Sequence, residues 1–220
     1  MKKEACKHFY LGILLVSLFV LWTIVVRFAD VRPIGPRESL VGLSTLNAYV
    51  HQLVGVHMTL YILTDWLSLL PVAIALSFAG LGLTQWIKRK HLLKVDFSLL
   101  ILGAFYLTVF AVYLLFEYVV INHRPVLING YLEASYPSST TMLVLCIPPT
   151  AAMQLRSRIR NNACKQIVLS IIDLFTVFMV LGRALSGVHW FSDIVGGILI
   201  STGLVTLYKA VCLLEKKHTP

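Results

Sequence analysis

The chain has 220 residues, of which 58% are hydrophobic and 13% are charged, and its mean hydropathy is +0.81. This composition excludes an ordinary soluble domain of that length and is typical of a protein with several membrane-spanning helices. The net charge of +9 does not indicate a nucleic-acid partner, because the basic residues lie in short runs between apolar segments, an arrangement that belongs to membrane topology.

The first apolar segment, 9–27, follows three lysines and at first sight resembles a signal peptide. It is long enough to cross a bilayer, however, and no small-residue cleavage site follows it, so an uncleaved first span is the better interpretation. Pro33 and Pro36 then interrupt regular structure. Beyond them, apolar residues recur at roughly helical spacing up to residue 54, which predicts a short amphipathic helix in the membrane interface.

Five further apolar segments follow, separated by charged or turn-forming residues. We expect them to cross the membrane at about 57–86, 97–121, 138–155, 166–183 and 193–214. The predicted fold is therefore all-α. It is a single membrane domain over residues 1–220, in which six transmembrane helices form a bundle and the interfacial helix lies between the first and second spans.

Six spans place successive connections on alternate sides of the membrane. The two terminal regions, the 88–94 connection and the 156–165 connection hold 14 of the 19 Lys and Arg residues, with Lys216 and Lys217 among them. The positive-inside rule therefore predicts a cell-membrane protein with both termini in the cytoplasm. Arg124, Ser138 and His189 would then lie together at the extracytoplasmic face.

A polar stretch, 182–193, opens the last predicted span. His189 and Asp193 are four residues apart, which places them on one face of a helix. The carboxylate can then accept the imidazole Nδ1–H and leave Nε2 free as a nucleophile or base. Arg183 adds a planar cation suited to a phosphoryl group. Ionisable groups at membrane depth usually mark a site, but a helix cap with a pore-facing polar cluster would give the same pattern.

Three polar clusters occur in order on the predicted outer side: Arg124-Pro125, then Pro137-Ser138, then Arg183, His189 and Asp193 with five and three residues between them. In this order they resemble the motifs of the type 2 phosphatidic acid phosphatase superfamily, membrane lipid phosphatases related to vanadium haloperoxidases. The resemblance runs from residue 117 to residue 193, and the six-span layout fits it as well.

The resemblance implies a membrane phosphatase in which His189 attacks phosphorus and forms a phosphohistidine, while Asp193 orients the histidine. It implies that the phosphoryl oxygens are bound by Arg124, Arg183, Ser138 and Ser139, together with backbone N–H groups at the start of the following helix. It implies no metal and no other cofactor. The expected substrate is a lipid phosphate or a polyprenyl diphosphate at the outer face of the bilayer.

Four positions depart from the family pattern: Glu117 replaces Lys, Ser139 replaces Gly, Thr140 replaces His and Gly182 replaces Ser. The Ser139 and Gly182 changes are mild, because backbone donors survive them. Glu117 is two helical turns before Arg124 and should point the same way. Three interpretations of Glu117 remain open: an ion pair with Arg124, protonation in an apolar setting, or contact with a cationic group of the substrate.

Thr140 stands where the family places the acid that protonates the leaving oxygen. A threonine hydroxyl cannot supply that proton near neutral pH, and general acid catalysis contributes roughly 10²–10⁴-fold. A phosphate leaving from a diphosphate needs little such help, so the substitution favours diphosphate substrates or a weak enzyme. His123, beside Arg124, is an alternative acid, although a lone interface histidine is more often a polar loop residue.

Two other functions remain alternatives. One is a catalytically impaired homologue that binds lipid head groups or regulates a membrane partner. The other is a small transporter that uses Asp65 and Asp173, which otherwise read as helix-packing residues without a sequence neighbour of opposite charge. The absence of a two-half internal repeat disfavours a transporter. Nothing in the pattern predicts an oligomeric state.

Overall fold

The computed structural model describes residues 2–215, and this part of the chain is all-α, as predicted. Lys216 and Lys217 lie outside the described residues. The α-helices of the described part are α1 (Lys2–Phe28), α2 (Ser44–Val54), α3 (Met58–Leu67), α4 (Leu69–Arg89), α5 (Phe97–Tyr118), α6 (Ser139–Arg158), α7 (Asn162–Leu185) and α8 (Phe191–Glu215). Short 3-10 helices occur at Pro36–Glu38 and Leu92–Lys94.

Five helical segments of the described part are long and apolar enough to cross a membrane: α1, α3 with α4, α5, α7 and α8. The protein is therefore a membrane protein. The sixth expected span, 138–155, falls in α6, which is less apolar, contains Pro148 and Pro149, and is buried along much of its length. Because α6 packs against α4, α5, α7 and α8, it needs little lipid-facing apolar surface. Its membrane crossing stays a prediction.

The second predicted span, 57–86, consists of two helices joined at Ser68. The Ser68 N–H is 3.1 Å from the carbonyl oxygens of both Thr64 and Asp65, and its hydroxyl donates to the Asp65 carbonyl at 2.6 Å. Pro71 follows in the first turn of α4, where its missing N–H costs nothing. The joint therefore places the end of α3 beside the site described below.

Helix α2 occupies the connection between the first two apolar helical segments, as the pattern predicts. Its apolar side chains Leu46, Tyr49 and Leu53 are exposed, whereas Ser44 and Asn47 are buried against the protein. This is the reverse of a soluble amphipathic helix, and it fits a helix whose outer face meets lipid.

Close packing of α1 against α8 holds the first helix to the bundle. A Cβ on Gly12 would lie 2.6 Å from the Leu207 side chain, and one on Gly203 would lie 2.9 Å from the Val16 side chain. The two glycines therefore allow the helix backbones to approach closely, as small residues do between membrane helices.

Three connections meet at one end of the bundle. The 29–57 connection reaches the α7–α8 connection, where the N–H of His57 donates to the carbonyl of Ser186 at 2.9 Å. The 119–138 connection reaches it too, because Trp190 Nε1–H donates to the carbonyl of His123 at 2.7 Å. The structure therefore brings the three polar clusters together.

Candidate active site

The 119–138 connection is a hairpin-like loop that presents polar side chains from both of its arms. Asn129 and Gly130 form the turn, both with positive φ, between the paired residues Ile128 and Tyr131, as the Asn-Gly pair favours. Farther along, the Arg124 N–H donates to the Glu133 carbonyl at 3.0 Å. One arm thus carries Arg124, and the other carries residues 133–136.

His189 lies in the connection before α8, whereas Asp193 is in the first turn of that helix. The spacing of four predicts that both residues lie on one helix face, and this prediction is wrong because His189 precedes the helix. His189 Nδ1 is 3.9 Å from Asp193 Oδ2. Ser135 lies between them. Its Oγ is 3.0 Å from His189 Nδ1 and 2.5 Å from Asp193 Oδ2, and all three residues are buried.

The contact made by the other ring nitrogen of His189, Nε2, shows which nitrogen carries the proton. Nη1 of Arg124 is 3.2 Å from His189 Nε2, and a guanidinium group can only donate. Nε2 therefore accepts, and the imidazole proton is on Nδ1. Burial, followed by the charges of Arg124 and Arg183, holds the pKa of His189 well below its usual range. The imidazole is thus neutral, with a lone pair on the nitrogen that faces the arginine.

Asp193 receives several further hydrogen bonds. The Trp190 N–H donates to its Oδ2 at 3.0 Å, and Asn122 Nδ2 donates to its Oδ1 at 3.2 Å. The Ser192 hydroxyl lies 3.3 Å from Oδ1. Asn47 of α2 in turn donates to Ser192 Oγ at 2.9 Å. A fully buried carboxylate is costly unless such donors surround it, so this network fixes the position of Asp193.

Arg183 is fully buried near the end of α7. Its Nη2 donates to Thr140 Oγ1 at 2.6 Å and lies 3.0 Å from Asp65 Oδ1, while its Nη1 lies 3.3 Å from Thr64 Oγ1. The guanidinium carbon is 4.6 Å from the centre of the Tyr61 ring. A guanidinium group over an aromatic face is attracted by the negative face of the ring, which helps to hold it in place.

Arg124 makes the same kinds of contact as Arg183, with one carboxylate and with the Tyr61 ring. Its Nε is 3.0 Å from Glu133 Oε2, an ion pair rather than an aligned hydrogen bond, and its guanidinium carbon is 5.8 Å from the same Tyr61 ring centre. Tyr61 therefore lies beside both arginines. Each arginine is paired with one carboxylate, Asp65 for Arg183 and Glu133 for Arg124, so neither cation is left without an anion.

Glu117 does not fill the role of partner to Arg124. It is exposed and forms no ion pair within residues 2–215. The open interpretation in which Glu117 pairs with Arg124 is wrong, because Glu133, on the opposite arm of the loop, takes that place. His123, the alternative acid, is half-buried, and its backbone carbonyl is the group that contacts Trp190.

The second polar cluster, Pro137-Ser138, lies at the start of α6. Ser138 is the N-cap: its Oγ accepts from the Thr141 N–H at 3.4 Å and from the Thr141 hydroxyl at 3.0 Å. Its N–H donates to the Asp193 carbonyl at 3.1 Å, which ties this helix start to α8. Ser139 and Thr140 line a cavity beside both arginines. Of the predicted phosphate-binding residues, Ser138 is thus engaged in the helix cap, and Ser139 faces open space.

That cavity, of about 450 Å³, has a polar end and an apolar body. The polar end is formed by Asp65, Arg124, Ser139, Thr140 and Arg183. The apolar body runs between α4, α5 and α6. A second cavity of about 640 Å³ continues between α4 and α5 and shares Ala75, Leu76 and Tyr106 with the first. Together they form one apolar groove that starts at the arginines.

Several residues of the site have little or no signal in the sequence. Asp65 has no sequence neighbour of opposite charge, and the structure pairs it with Arg183, 118 residues away. An acidic residue within an apolar segment is itself the signal that could have marked it. Tyr61, Glu133 and Ser135 carry no comparable signal. Asp173 is exposed on α7. Within the described residues, no group of three His, Cys, Asp or Glu side chains could hold a metal ion.

Comparison with known proteins agrees with this fold. A solved structure titled the first transmembrane PAP2 type phosphatidylglycerolphosphate phosphatase, from Bacillus subtilis, is similar over 93% of this chain and 96% of that chain, with a TM-score of 0.52 and 20% identity. No curated protein gives a significant sequence match. The model of the PAP2 superfamily matches residues 72–214, more than half of the chain. The chain therefore belongs to the PAP2 superfamily, which supports a phosphatase of the PAP2 type and a membrane lipid as the kind of molecule it acts on.

Proposed function

We propose that this protein hydrolyses a lipid phosphate or polyprenyl diphosphate through a phosphohistidine on His189. The observation that carries the proposal is the neutral His189, whose Nε2 faces Arg124 at 3.2 Å while Nδ1 is bound to Ser135. A neutral imidazole whose Nε2 is unprotonated and lies beside fixed cations is a nucleophile placed next to an anion site.

The first step transfers the phosphoryl group to the protein. The lone pair on His189 Nε2 attacks phosphorus, the bond to the leaving oxygen breaks, and that oxygen takes the electron pair. Water then attacks phosphorus, a new O–P bond forms, and the N–P bond breaks with its electron pair returning to Nε2; the protons of the water leave with the released phosphate. Arg124 and Arg183 stabilise the charge on the phosphoryl oxygens in both steps.

Each arginine of the site is paired with a carboxylate that is more exposed than the arginine itself. The side chains of Asp65 and Glu133 are 56% and 42% exposed, whereas those of Arg183 and Arg124 are 1% and 9% exposed. The arginines are therefore fixed, whereas the more exposed carboxylates have room to move away when another anion replaces their charge beside the buried cations. A phosphate dianion entering the cavity would take their place.

The groove supplies the lipid specificity. It starts at the arginines and runs between α4 and α5 with mostly apolar lining. A hydrocarbon chain placed there would be removed from water or from the open bilayer, while its phosphate reached the cationic end. The site therefore suits an amphiphile with a terminal phosphate.

Thr140 favours a diphosphate as the better substrate. Its hydroxyl accepts a hydrogen bond from Arg183 at 2.6 Å, so it supports the arginine and supplies no acid. A leaving phosphate needs no added proton, whereas a leaving alkoxide does. The catalytically impaired homologue remains the second candidate, since the same substitution would slow the hydrolysis of monoesters.

The proposal includes an orientation. With both termini in the cytoplasm, the end of the bundle that carries His189 and Arg124 faces the outside of the cell, as the distribution of basic residues predicts. Hydrolysis would then take place at the outer leaflet and without a metal. Cysteine labelling at Asn129 and at Asn162 tests the orientation, because an impermeant reagent should reach position 129 alone.

Phosphate release by the purified protein tests the reaction. We expect turnover of polyprenyl diphosphate, and slower turnover of phosphatidate and of phosphatidylglycerophosphate, in the presence of EDTA. His189→Ala should abolish both turnover and an acid-labile phosphoenzyme, while His91→Ala, at the other end of the bundle, should retain them. Phosphate release by His189→Ala would refute the mechanism. Binding of lipid phosphates without release by the wild type would favour the impaired homologue.

A further inference from the structure

Ser135 occupies the space where a direct contact between His189 and Asp193 would be. The two ionisable atoms are 3.9 Å apart, too far for a hydrogen bond. Ser135 Oγ is within hydrogen-bond distance of both, at 3.0 Å from His189 Nδ1 and 2.5 Å from Asp193 Oδ2. The serine comes from the 119–138 loop and not from the part of the chain that carries His189 and Asp193.

The donors and acceptors of this chain can be assigned. Arg124 donates to Nε2, so the proton of the neutral imidazole is on Nδ1. Nδ1–H then donates to Ser135 Oγ at 3.0 Å. The serine hydroxyl has a single proton, and Asp193 Oδ2, as a carboxylate oxygen, accepts it. With this assignment, every hydrogen bond of the chain has one donor and one acceptor.

We propose that Ser135 is a positioning residue that connects the imidazole of His189 to the carboxylate of Asp193. This inference rests on the proposed function. When Nε2 bonds to phosphorus, the imidazole becomes a cation that keeps its Nδ1 proton. Asp193 stabilises that cation through the Ser135 hydroxyl, which is polarised by a charged acceptor. Ser135 also fixes the ring orientation, so that Nε2 stays directed at the anion site.

The backbone supports Ser135 independently of the two residues it connects. Its N–H donates to the Asn122 carbonyl at 2.9 Å, across the two arms of the loop. Asn122 in turn donates its side-chain amide to Asp193 Oδ1 at 3.2 Å. Replacement of the Ser135 hydroxyl therefore leaves the loop and Asp193 with other attachments, and its effect should be confined to His189.

Nuclear magnetic resonance of the full-length protein, labelled with ¹⁵N-histidine in lipid nanodiscs, tests the connection without any substrate. We expect a His189 Nδ1–H signal that is protected from solvent exchange and is identified by its absence in His189→Gln. Ser135→Ala should remove this protection, and Ser135→Cys, of nearly the same shape but a weaker donor, should shift the signal. Ser201→Ala, a buried serine about two turns farther along α8, should leave it unchanged. An unchanged signal in both Ser135 variants would overturn the proposal.

A double-mutant cycle tests the role in chemistry. Ser135→Ala should slow phosphoenzyme formation by roughly 10²-fold with little change in substrate affinity. If Asp193 acts through Ser135, Asp193→Asn should reduce the rate of phosphoenzyme formation much less in the Ser135→Ala background than in the wild type. If the fold-reductions in rate caused by the two substitutions simply multiply in the double mutant, the two residues act independently and the connection is refuted. A wild type that forms no phosphoenzyme would refute the proposed function, and the spectroscopic result would still decide whether Ser135 connects the two residues.

Discussion

Arg183 and Asp65 form an ion pair in which one partner is fixed and the other is free to move. Nη2 of Arg183 is 3.0 Å from Oδ1 of Asp65, and the arginine side chain is 1% exposed while the aspartate side chain is 56% exposed. The buried cation is held by further contacts with Thr64 and Thr140. Loss of Asp65 should therefore leave Arg183 in place and raise the positive charge of the site.

We predict that Asp65→Asn lowers KM for an anionic lipid substrate by a few-fold, because a carboxylate that competes with the phosphate for Arg183 is removed. The turnover number should change little. Asp173→Asn, an exposed acidic position on α7, is the matched control and should have no effect. Initial rates over a range of substrate concentrations provide the measurement. A raised KM would mean that Asp65 is needed to orient Arg183.

The stability of the protein should depend on the protonation of His189. The unfolded chain binds a proton on this histidine near pH 6.5, whereas the folded protein resists it because the pKa of His189 is lowered by burial and by the two arginines. The unfolded state therefore binds more protons as the pH falls below that value, and the free energy of unfolding decreases.

Between about pH 7.5 and pH 5, the Tm of the wild type should fall more than the Tm of His189→Gln. The loss can reach about 1.4 kcal/mol per pH unit. Titratable groups that are not linked to His189, including His51, whose pKa is also lowered by burial, titrate in both proteins and cancel in the difference. Equal slopes in the two proteins would show that His189 is protonated in the folded state.

Restoring the missing acid should change the substrate preference. In the wild type, a polyprenyl diphosphate should be turned over much faster than phosphatidate, because the departing phosphate needs no proton. Thr140→His should accelerate the monoester selectively, by up to roughly 10²–10⁴-fold. The ratio of the two turnover numbers before and after the change is the measurement. A wild type that prefers phosphatidate would indicate another acid, and His123→Ala would be the next variant.

The groove between α4 and α5 can be closed without touching the polar site. Gly103 lines the groove and has open space around its Cβ position. Gly103→Trp should therefore reduce activity on a long-chain polyprenyl diphosphate and spare a short-chain analogue. Gly80→Trp, on α4 with equally open space but outside the groove lining, is the control. Equal loss on both chain lengths would show that the groove does not hold the lipid chain.

The sequence predicts the helical membrane fold and the three polar clusters because both depend on local patterns. Apolar segment lengths set the helices, and the motif spacing selects Arg124, His189 and Asp193. The direct pairing expected from the spacing of four fails because His189 precedes the helix that carries Asp193. Ser135 then connects them.

The sequence does not predict the remaining site residues, because their positions depend on how separate segments pack together. Tyr61 and Asp65 meet Arg183 only because α3 packs against α7, and periodicity within one helix carries no information about which helix lies beside it. Likewise, Glu133 rather than Glu117 pairs with Arg124, since the turn at Asn129 and Gly130 folds one arm of the loop onto the other.

The family match begins at residue 72, yet Asn47, Tyr61 and Asp65 already belong to the site. A fragment limited to 72–214 would keep every motif residue and would leave Arg183 without its anion and without its aromatic neighbour. We therefore expect the N-terminal third to influence which substrate the site accepts. Changes there should alter the choice among phosphate-bearing lipids while the motif itself stays intact, and two chains with identical motifs should be able to differ in substrate for this reason.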